Sequence, residues 1–247
     1  MAWTWYNSVV TKIVDESPTT KRFWLKVEEG KPTFKAGQFV TMDLPIHEKR
    51  LKRWRSYSIA NAPGSANDME FCIVRLEGGL ASDYFFEEVA IGTPIKFKGP
   101  TGAFILKEPI DKDLILICTG TGVAPFRSML HDIIDNNKPH KKIHLIFGTR
   151  YKEGILYEEE FSKLEETNDF FSYTVCLSRE ENLEDLTRSF ELSKGYVHQA
   201  YKKHYLDPKE DVAVYLCGWK NMVDEAVETF MDKLGYQKEQ IHYELYG

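Results

Sequence analysis

Leu114-Ile115-Leu116-Ile117-Cys118-Thr119-Gly120-Thr121-Gly122-Val123-Ala124-Pro125-Phe126-Arg127-Ser128 is the stretch whose reading decides the fold. Its apolar start, 114–118, has no polar interruption, as expected of a strand covered on both faces. A glycine-rich turn follows at once, and 126–134 then places apolar residues at helical spacing. Strand, glycine turn and helix in this order suit a pyrophosphate. Glycines let a ligand close on the main chain, and the N–H groups of a helix start point at it. The spacing departs from G-x-G-x-x-G, because Pro125 takes the third place.

The same alternation continues downstream. Segment 142–148 precedes a helical 157–164, a strand-like 172–177 follows, and 212–218 precedes a helical 223–230. Buried strands alternating with helices predict a parallel, doubly wound α/β domain over 109–247. Phe147-Gly148-Thr149-Arg150 and Leu216-Cys217-Gly218-Trp219-Lys220-Asn221-Met222 would bring two more strand ends to its carboxyl edge, where such sheets bind ligands.

Upstream the texture is different. Segments 8–14, 21–27, 38–42, 56–60, 70–76 and 93–99 are short, rich in β-branched and aromatic residues, and separated by turn signals. That pattern predicts an antiparallel sandwich or small barrel over 1–108, interrupted by one helical patch at 82–89. Within it, Arg55-Ser56-Tyr57-Ser58 offers a fixed cation, an aromatic plane and hydroxyls. Strand alternation puts Arg55 and Tyr57 on one face, with Ser56 and Ser58 on the other. An arginine fork suits a phosphate, and an aromatic can lie along a flat ring system. Gly79-Leu80-Ala81-Ser82 opens the helical patch, so Ser82 reads either as an ordinary helix cap or as part of a second phosphate site.

Composition narrows the classes. The 247 residues carry 32 Lys+Arg against 38 Asp+Glu, a net charge of −6, which argues against binding nucleic-acid phosphates over the whole surface. No apolar run approaches the roughly 20 residues that span a bilayer, and the N-terminus has no signal-peptide apolar core. A cytoplasmic protein with no membrane insertion is expected. Cys72, Cys118, Cys176 and Cys217 form no C-x-x-C pair and lie in apolar runs; the first three read as buried reduced thiols, and Cys217 is a separate case. No histidine pair has metal spacing on a helix, and no metal site is expected.

Taken in order, Arg55-Ser56-Tyr57-Ser58, Gly79-Leu80-Ala81-Ser82, Gly99-Pro100-Thr101-Gly102, the stretch 118–128 and Cys217-Gly218-Trp219-Lys220-Asn221-Met222 resemble the ferredoxin–NADP(+) reductase superfamily from about residue 8 to the end. The resemblance implies a flavin-binding barrel followed by a pyridine-nucleotide domain, with FAD and NADP(H), or NAD(H), as cofactors. It implies that Arg55 and Ser82 hold flavin phosphates, that Tyr57 lies against the isoalloxazine, and that Ser58 hydrogen-bonds near flavin N5. Ser56, Cys72, Ile73, Val74, Gly79, Leu80 and Ala81 are further cofactor positions of the barrel. In the second domain Gly120, Thr121, Gly122, Val123 and Pro125 take the pyrophosphate, with Gly148, Gly218 and Met222 beside them. Thr119 and Cys217 line the hydride-transfer cleft.

The ending Tyr243-Glu244-Leu245-Tyr246-Gly247 resembles the plastid-type terminus in which a Glu and a terminal aromatic flank the flavin. Glu244 and Tyr246 therefore join Ser58 and Cys217 as catalytic candidates. Because Gly247 follows the aromatic, Tyr246 is either a flavin cover or the anchor of an edge strand. Ser178-Arg179 resembles the segment that grips the 2′-phosphate of NADP, and Tyr196 is either an adenine-stacking ring or a strand filler. The implied activity is hydride transfer between NADP(H) and FAD, with single electrons passed to or from a ferredoxin- or flavodoxin-like carrier. An NADH-dependent reductase component of an oxygenase and a free-flavin reductase share the same domains. Any iron–sulfur cluster would sit on a partner, and Lys49, Arg50, Lys52 and Arg53 are the cations expected to dock it. The chain itself is expected to be a monomer.

Overall fold

The computed structural model describes residues 4–30, 32–64, 68–183 and 186–246. It divides into two compact units, one comprising Met1–Leu106 with Ala124–Lys138 and the other Lys107–Val123 with Pro139–Gly247.

The first unit is built on an antiparallel sheet of β1 (Trp5–Ser17), β2 (Thr20–Val27), β3 (Phe39–Asp43), β4 (Trp54–Ser58), β5 (Asp68–Val74) and β6 (Pro94–Thr101). The spatial order is β4-β3-β6-β1-β2-β5. Its two edge strands meet: Ile59, just beyond β4, bridges Phe71 of β5, and the Ala60 N–H donates to the Glu70 carbonyl at 2.8 Å. The sheet thus closes on itself as the barrel that its alternating residues predict. Val10, Phe23, Leu25, Val40, Met42, Phe71 and Phe97 fill the interior, each contributing about 1.5–3 kcal/mol by leaving water. Helix α1 (Leu80–Glu87) covers one end through Tyr84 and Phe85. Helix α2 (Val123–Asp135) belongs with this unit from Ala124 onward.

The second unit carries a parallel sheet of β7 (Asp113–Thr119), β8 (Ile143–Thr149), β9 (Phe171–Leu177), β10 (Glu191–Lys194), β11 (Val212–Trp219) and β12 (Ile241–Tyr246). Its order is β10-β9-β8-β7-β11-β12. Strands β7, β9 and β11 are buried along almost their whole length. Ile115, Ile117, Val214 and Leu216 pack on α4 (Val197–His204) and α5 (Lys220–Glu228) through Ala200, Tyr201, Val223 and Ala226. Helix α3 (Glu158–Thr167) contributes Phe161, which lies 5.4 Å from Tyr173 of β9. The chain starts at β7, builds outward through β8, β9 and β10, and returns to the other side of β7 with β11. The order therefore reverses between β7 and β11. An open α/β sheet has its ligand crevice at the carboxyl ends flanking such a reversal.

Candidate active site

In the barrel unit, β4 carries the Arg55 to Ser58 motif. Arg55 is half-buried, and its Nη1 donates to the carbonyls of Lys52 at 3.0 Å and Trp54 at 2.8 Å. Among the described residues its Nε and Nη2 have no partner, so a half-buried guanidinium keeps free donors in a fixed orientation. Tyr57 packs edge-on against Phe85 of α1, with centroids 5.5 Å apart at 82°. Burial pushes its phenol well above the ordinary range, so it stays neutral and serves as a packing surface. Ser58 is buried, whereas Ser56 is exposed and pairs with Thr41 at 3.1 Å on the outer face. The alternation of the motif holds, but it leaves Ser56 occupied away from Arg55 and Tyr57.

Ser82 differs from an ordinary cap. Gly79 is the residue before α1, and Ser82 stands a turn inside. Its hydroxyl accepts the Leu76 N–H at 3.0 Å and donates towards the carbonyls of Leu76 and Gly79. The side chain shapes the turn 76–79, so the donors available to an anion are the peptide N–H groups of Leu80, Ala81 and Ser82 that any helix start leaves over. Cys72 and Ile73 are buried on β5, and Val74 is half-buried at its end. Arg55 and the peptide N–H groups of the α1 start are donors of the kind a diphosphate takes, and Tyr57, packed on Phe85 of α1, offers a flat surface to a ring system.

In the α/β unit the strand register brings the expected residues to one edge. Thr119 pairs with Gly148, Cys118 with Cys217, Cys217 with Glu244, and Thr149 with Leu177 just before Ser178. Gly120–Gly122 forms a tight turn directly after β7, and α2 starts at Val123. Pro125 lies in the first turn of α2, where its missing N–H breaks no helical bond. A Cβ on Gly122 would run into the Cys217 carbonyl and come within 2.8 Å of its carbon. At Gly120 the same atom would meet nothing within 4 Å. One glycine permits close contact of loop and β11, and the other faces open space at the sheet reversal. That is the cradle a pyrophosphate needs.

Other expected residues depart from their anticipated settings. Cys217 is fully buried, and burial, the Glu244 carboxylate and Cys118 push its thiol up. The Tyr246 side chain acts against that rise; Tyr246 is half-buried at the end of β12, in register with Trp219 of β11. Gly218 follows on β11, and Met222 reaches back towards it from α5. Ser178 is held at the edge by its N–H to the Thr149 carbonyl at 3.0 Å, and the next N–H, of Arg179, donates to the Arg150 carbonyl at 2.9 Å. Arg150 and Arg179 are both exposed, so two guanidinium groups start from adjacent strand ends. Arg150 was legible in the strand-ending Thr149-Arg150 but has no counterpart in the motif that singled out Ser178. Tyr196 fills no strand: it precedes α4 and is 64% exposed. Among the cations expected to dock a partner, Arg53 is committed to Asp43 at 2.8 Å, whereas Lys49, Arg50 and Lys52 are exposed.

Among the described residues no group of three His, Cys, Asp or Glu side chains could hold a metal, and no helix is long and apolar enough to cross a membrane.

A closed antiparallel barrel with an anion-ready strand, followed by a parallel sheet with a glycine cradle at its reversal, defines a two-domain flavin and pyridine-nucleotide oxidoreductase. Comparison with known proteins agrees. The oxidoreductase FAD-binding domain family matches residues 7–105, and the oxidoreductase NAD-binding domain family matches 116–228. Ferredoxin–NADP reductase B of Sorangium cellulosum is 30% identical over 236 residues, 93% of each chain. The crystal structure of a ferredoxin NADP+ reductase from Neisseria gonorrhoeae with bound FAD and NADP matches with a TM-score of 0.79 at 25% identity, covering 98% of both chains. The reductase component of a phenol 2-monooxygenase from Pseudomonas is 31% identical over 226 residues, 92% of this chain. This chain belongs to the ferredoxin–NADP reductase superfamily, in its two-domain form. It spans 61% of that phenol 2-monooxygenase reductase, 65% of a phenol hydroxylase protein from Acinetobacter and 58% of a Bacillus flavohemoprotein.

Proposed function

We propose that this chain transfers hydride between NADP(H) and FAD and exchanges single electrons with an acidic protein carrier of the ferredoxin or flavodoxin kind. The observation that carries the reading is the glycine cradle at the reversal between β7 and β11, in a chain whose barrel unit bears Arg55 and Tyr57 on β4. When bound, FAD supplies a hydride acceptor at N5 and the means to release electrons singly.

The protein's part is binding and orientation. Arg55 and the α1 start neutralise the flavin diphosphate, Tyr57 packs along the ring, and the Ser58 hydroxyl offers a hydrogen bond at N5. Gly120 to Pro125 receive the pyrophosphate of the dinucleotide, beside Thr119, Gly148, Gly218 and Met222. Ser178 and Arg179, joined by Arg150, face its 2′-phosphate, and the exposed ring of Tyr196 is available to adenine. Glu244 and Tyr246 border the nicotinamide position. Lys49, Arg50 and Lys52 steer the acidic carrier.

A second reading, a reductase component serving an oxygenase, draws on the phenol 2-monooxygenase and toluate 1,2-dioxygenase relatives. The two are separated by acceptor rather than by chemistry. Purified protein should show a flavin spectrum that bleaches on anaerobic addition of NADPH, and should then reduce a ferredoxin or flavodoxin. A colourless protein that takes up no FAD would refute both readings, whereas bleaching by NADH with transfer only to an oxygenase component would select the second.

A further inference from the structure

The motif that opens α2 ends in Arg127-Ser128, and neither residue has a part in the function proposed above. Arg127 Nη1 donates to Glu70 Oε2 at 2.9 Å and to the Ala60 carbonyl at 2.9 Å. Both side chains are deeply placed, at 11% and 4% exposure. Arg22 approaches the other Glu70 oxygen at 3.5 Å. Next to Arg127, Ser128 Oγ donates to the Asn61 carbonyl at 2.7 Å. Asn61 in turn accepts the Glu70 N–H at 2.8 Å and donates to the Asp68 carbonyl at 3.2 Å. Two consecutive residues of α2 are thereby bonded to the seam where the barrel closes, residues 60, 61 and 70.

A buried ion pair is a weak source of net stability, because desolvation offsets most of its attraction. Its distinctive property is geometric. One guanidinium nitrogen held by a carboxylate and a carbonyl, with the next residue's hydroxyl on a second carbonyl, restricts the helix along and around its axis. Arg127 lies one turn after Val123, where α2 leaves the glycine loop. We propose that Glu70, Arg127, Ser128 and Asn61 form a positioning clamp that fixes the first turn of α2 for the pyrophosphate of the dinucleotide. The proposal rests on the reading that this turn takes that group.

The test compares two probes on the FAD-loaded protein by titration calorimetry: NADP+, which brings a pyrophosphate, and 2′-AMP, which does not. Two variants are used. Arg127→Lys keeps the charge but replaces the planar, pre-organised guanidinium by a shorter, flexible head, and Glu70→Gln/Arg127→Met removes both charges so that none is buried unpaired. Displacement of binding groups by about 1 Å can cost as much as roughly a hundredfold, so NADP+ affinity should fall at least about tenfold in both variants. Affinity for 2′-AMP and the FAD content should stay at wild-type values. A folded, flavin-loaded variant with wild-type NADP+ affinity overturns the clamp, and so does an equal fall for both probes, which would signify general loosening. If wild-type protein binds NADP+ no more tightly than 2′-AMP, the pyrophosphate reading itself fails and takes the clamp with it.

Discussion

Coenzyme choice gives the sharpest test of the α/β edge. The Arg179 N–H bonds to the Arg150 carbonyl at 2.9 Å, so two exposed guanidinium groups leave neighbouring strand ends beside Ser178. A 2′-phosphate placed about 4 Å from either would gain about 1 kcal/mol at the dielectric of water and about 4 kcal/mol at an effective dielectric of 20. Both arginines are exposed, so the lower part of that range applies, about 1–2 kcal/mol each. That corresponds to roughly a five- to thirtyfold preference for NADPH over NADH per arginine. Arg179→Ala and Arg150→Ala should each lower kcat/KM for NADPH by such a factor and leave NADH almost unchanged. The double variant should lose more than either, and Ser178→Asp should turn the ratio further towards NADH by repelling the phosphate. Raising salt should compress the wild-type preference, because exposed charges are screened over about 8 Å at physiological ionic strength. A preference untouched by removing both arginines, or a wild type that already favours NADH, would refute the assignment of this edge to a 2′-phosphate. The assignment of the glycine cradle would survive.

Three further outcomes are expected. Arg55→Ala should lose FAD during gel filtration, since a hydrogen bond to a charged group contributes roughly 1.5–3 kcal/mol; full retention with unchanged affinity would remove Arg55 from the site. Replacing Lys49, Arg50 and Lys52 by Glu should slow reduction of an acidic carrier and flatten its salt dependence while NADPH-driven flavin bleaching persists; a carrier rate indifferent to both salt and charge reversal would leave these cations without a docking role. His144 is held by Tyr205 at 2.7 Å and Thr174 at 2.8 Å, and burial and His204 lower its pKa from 6.5 to about 4. The unfolded chain therefore binds a proton that the folded chain refuses, and up to about 3 kcal/mol of stability should be lost as pH falls from 6.5 to 4. Denaturant midpoints for His144→Gln should fall much less over that window, and equal losses in both proteins would contradict the assignment. Glu191, whose pKa is lowered chiefly by its bonds to Lys203, His204 and Thr174 against the cost of burial, loses its own contribution only at more acid pH.

What the sequence disclosed follows from how strongly each segment is patterned. Leu114 to Cys118 and Val212 to Cys217 are apolar without interruption because both faces of the parallel sheet are covered, so the strands and the edge they share could be read directly. The family resemblance holds for the same reason: its motifs sit at strand ends fixed by those runs. β10 was not legible. It is four residues long, carries no fully buried side chain, and is an edge strand defined by pairing with β9. β4 begins at Trp54, two residues before the predicted strand, and α1 begins at Leu80 instead of 82. Polar residues near a helix start are ambiguous until the chain before them is placed, as the Ser82 hydroxyl turned back on Leu76 shows. The register that sets Glu244 beside Cys217 and Tyr246 beside Trp219 was equally out of reach, since it depends on how β12 pairs with β11. Arg127 read as part of a motif, but its partner Glu70 lies in a strand of different texture, and no local pattern links the two.

The membership of α2 has a consequence for dividing the protein. The chain passes from the barrel unit at Leu106, returns to it at Ala124 and leaves again after Lys138. A fragment ending near residue 108 would therefore lack a helix whose Phe126 and Met129 are fully buried in the intact chain, and would uncover Phe104, which packs on Phe126 at 5.7 Å. Glu70 would lose its salt bridge to Arg127 in the same cut. Such a fragment should be poorly soluble or partly unfolded even though every barrel strand is present. Exchange of nucleotide halves between relatives is subject to the same constraint: an incoming half brings its own α2, so it succeeds only if that helix carries side chains able to occupy the seam of the recipient barrel.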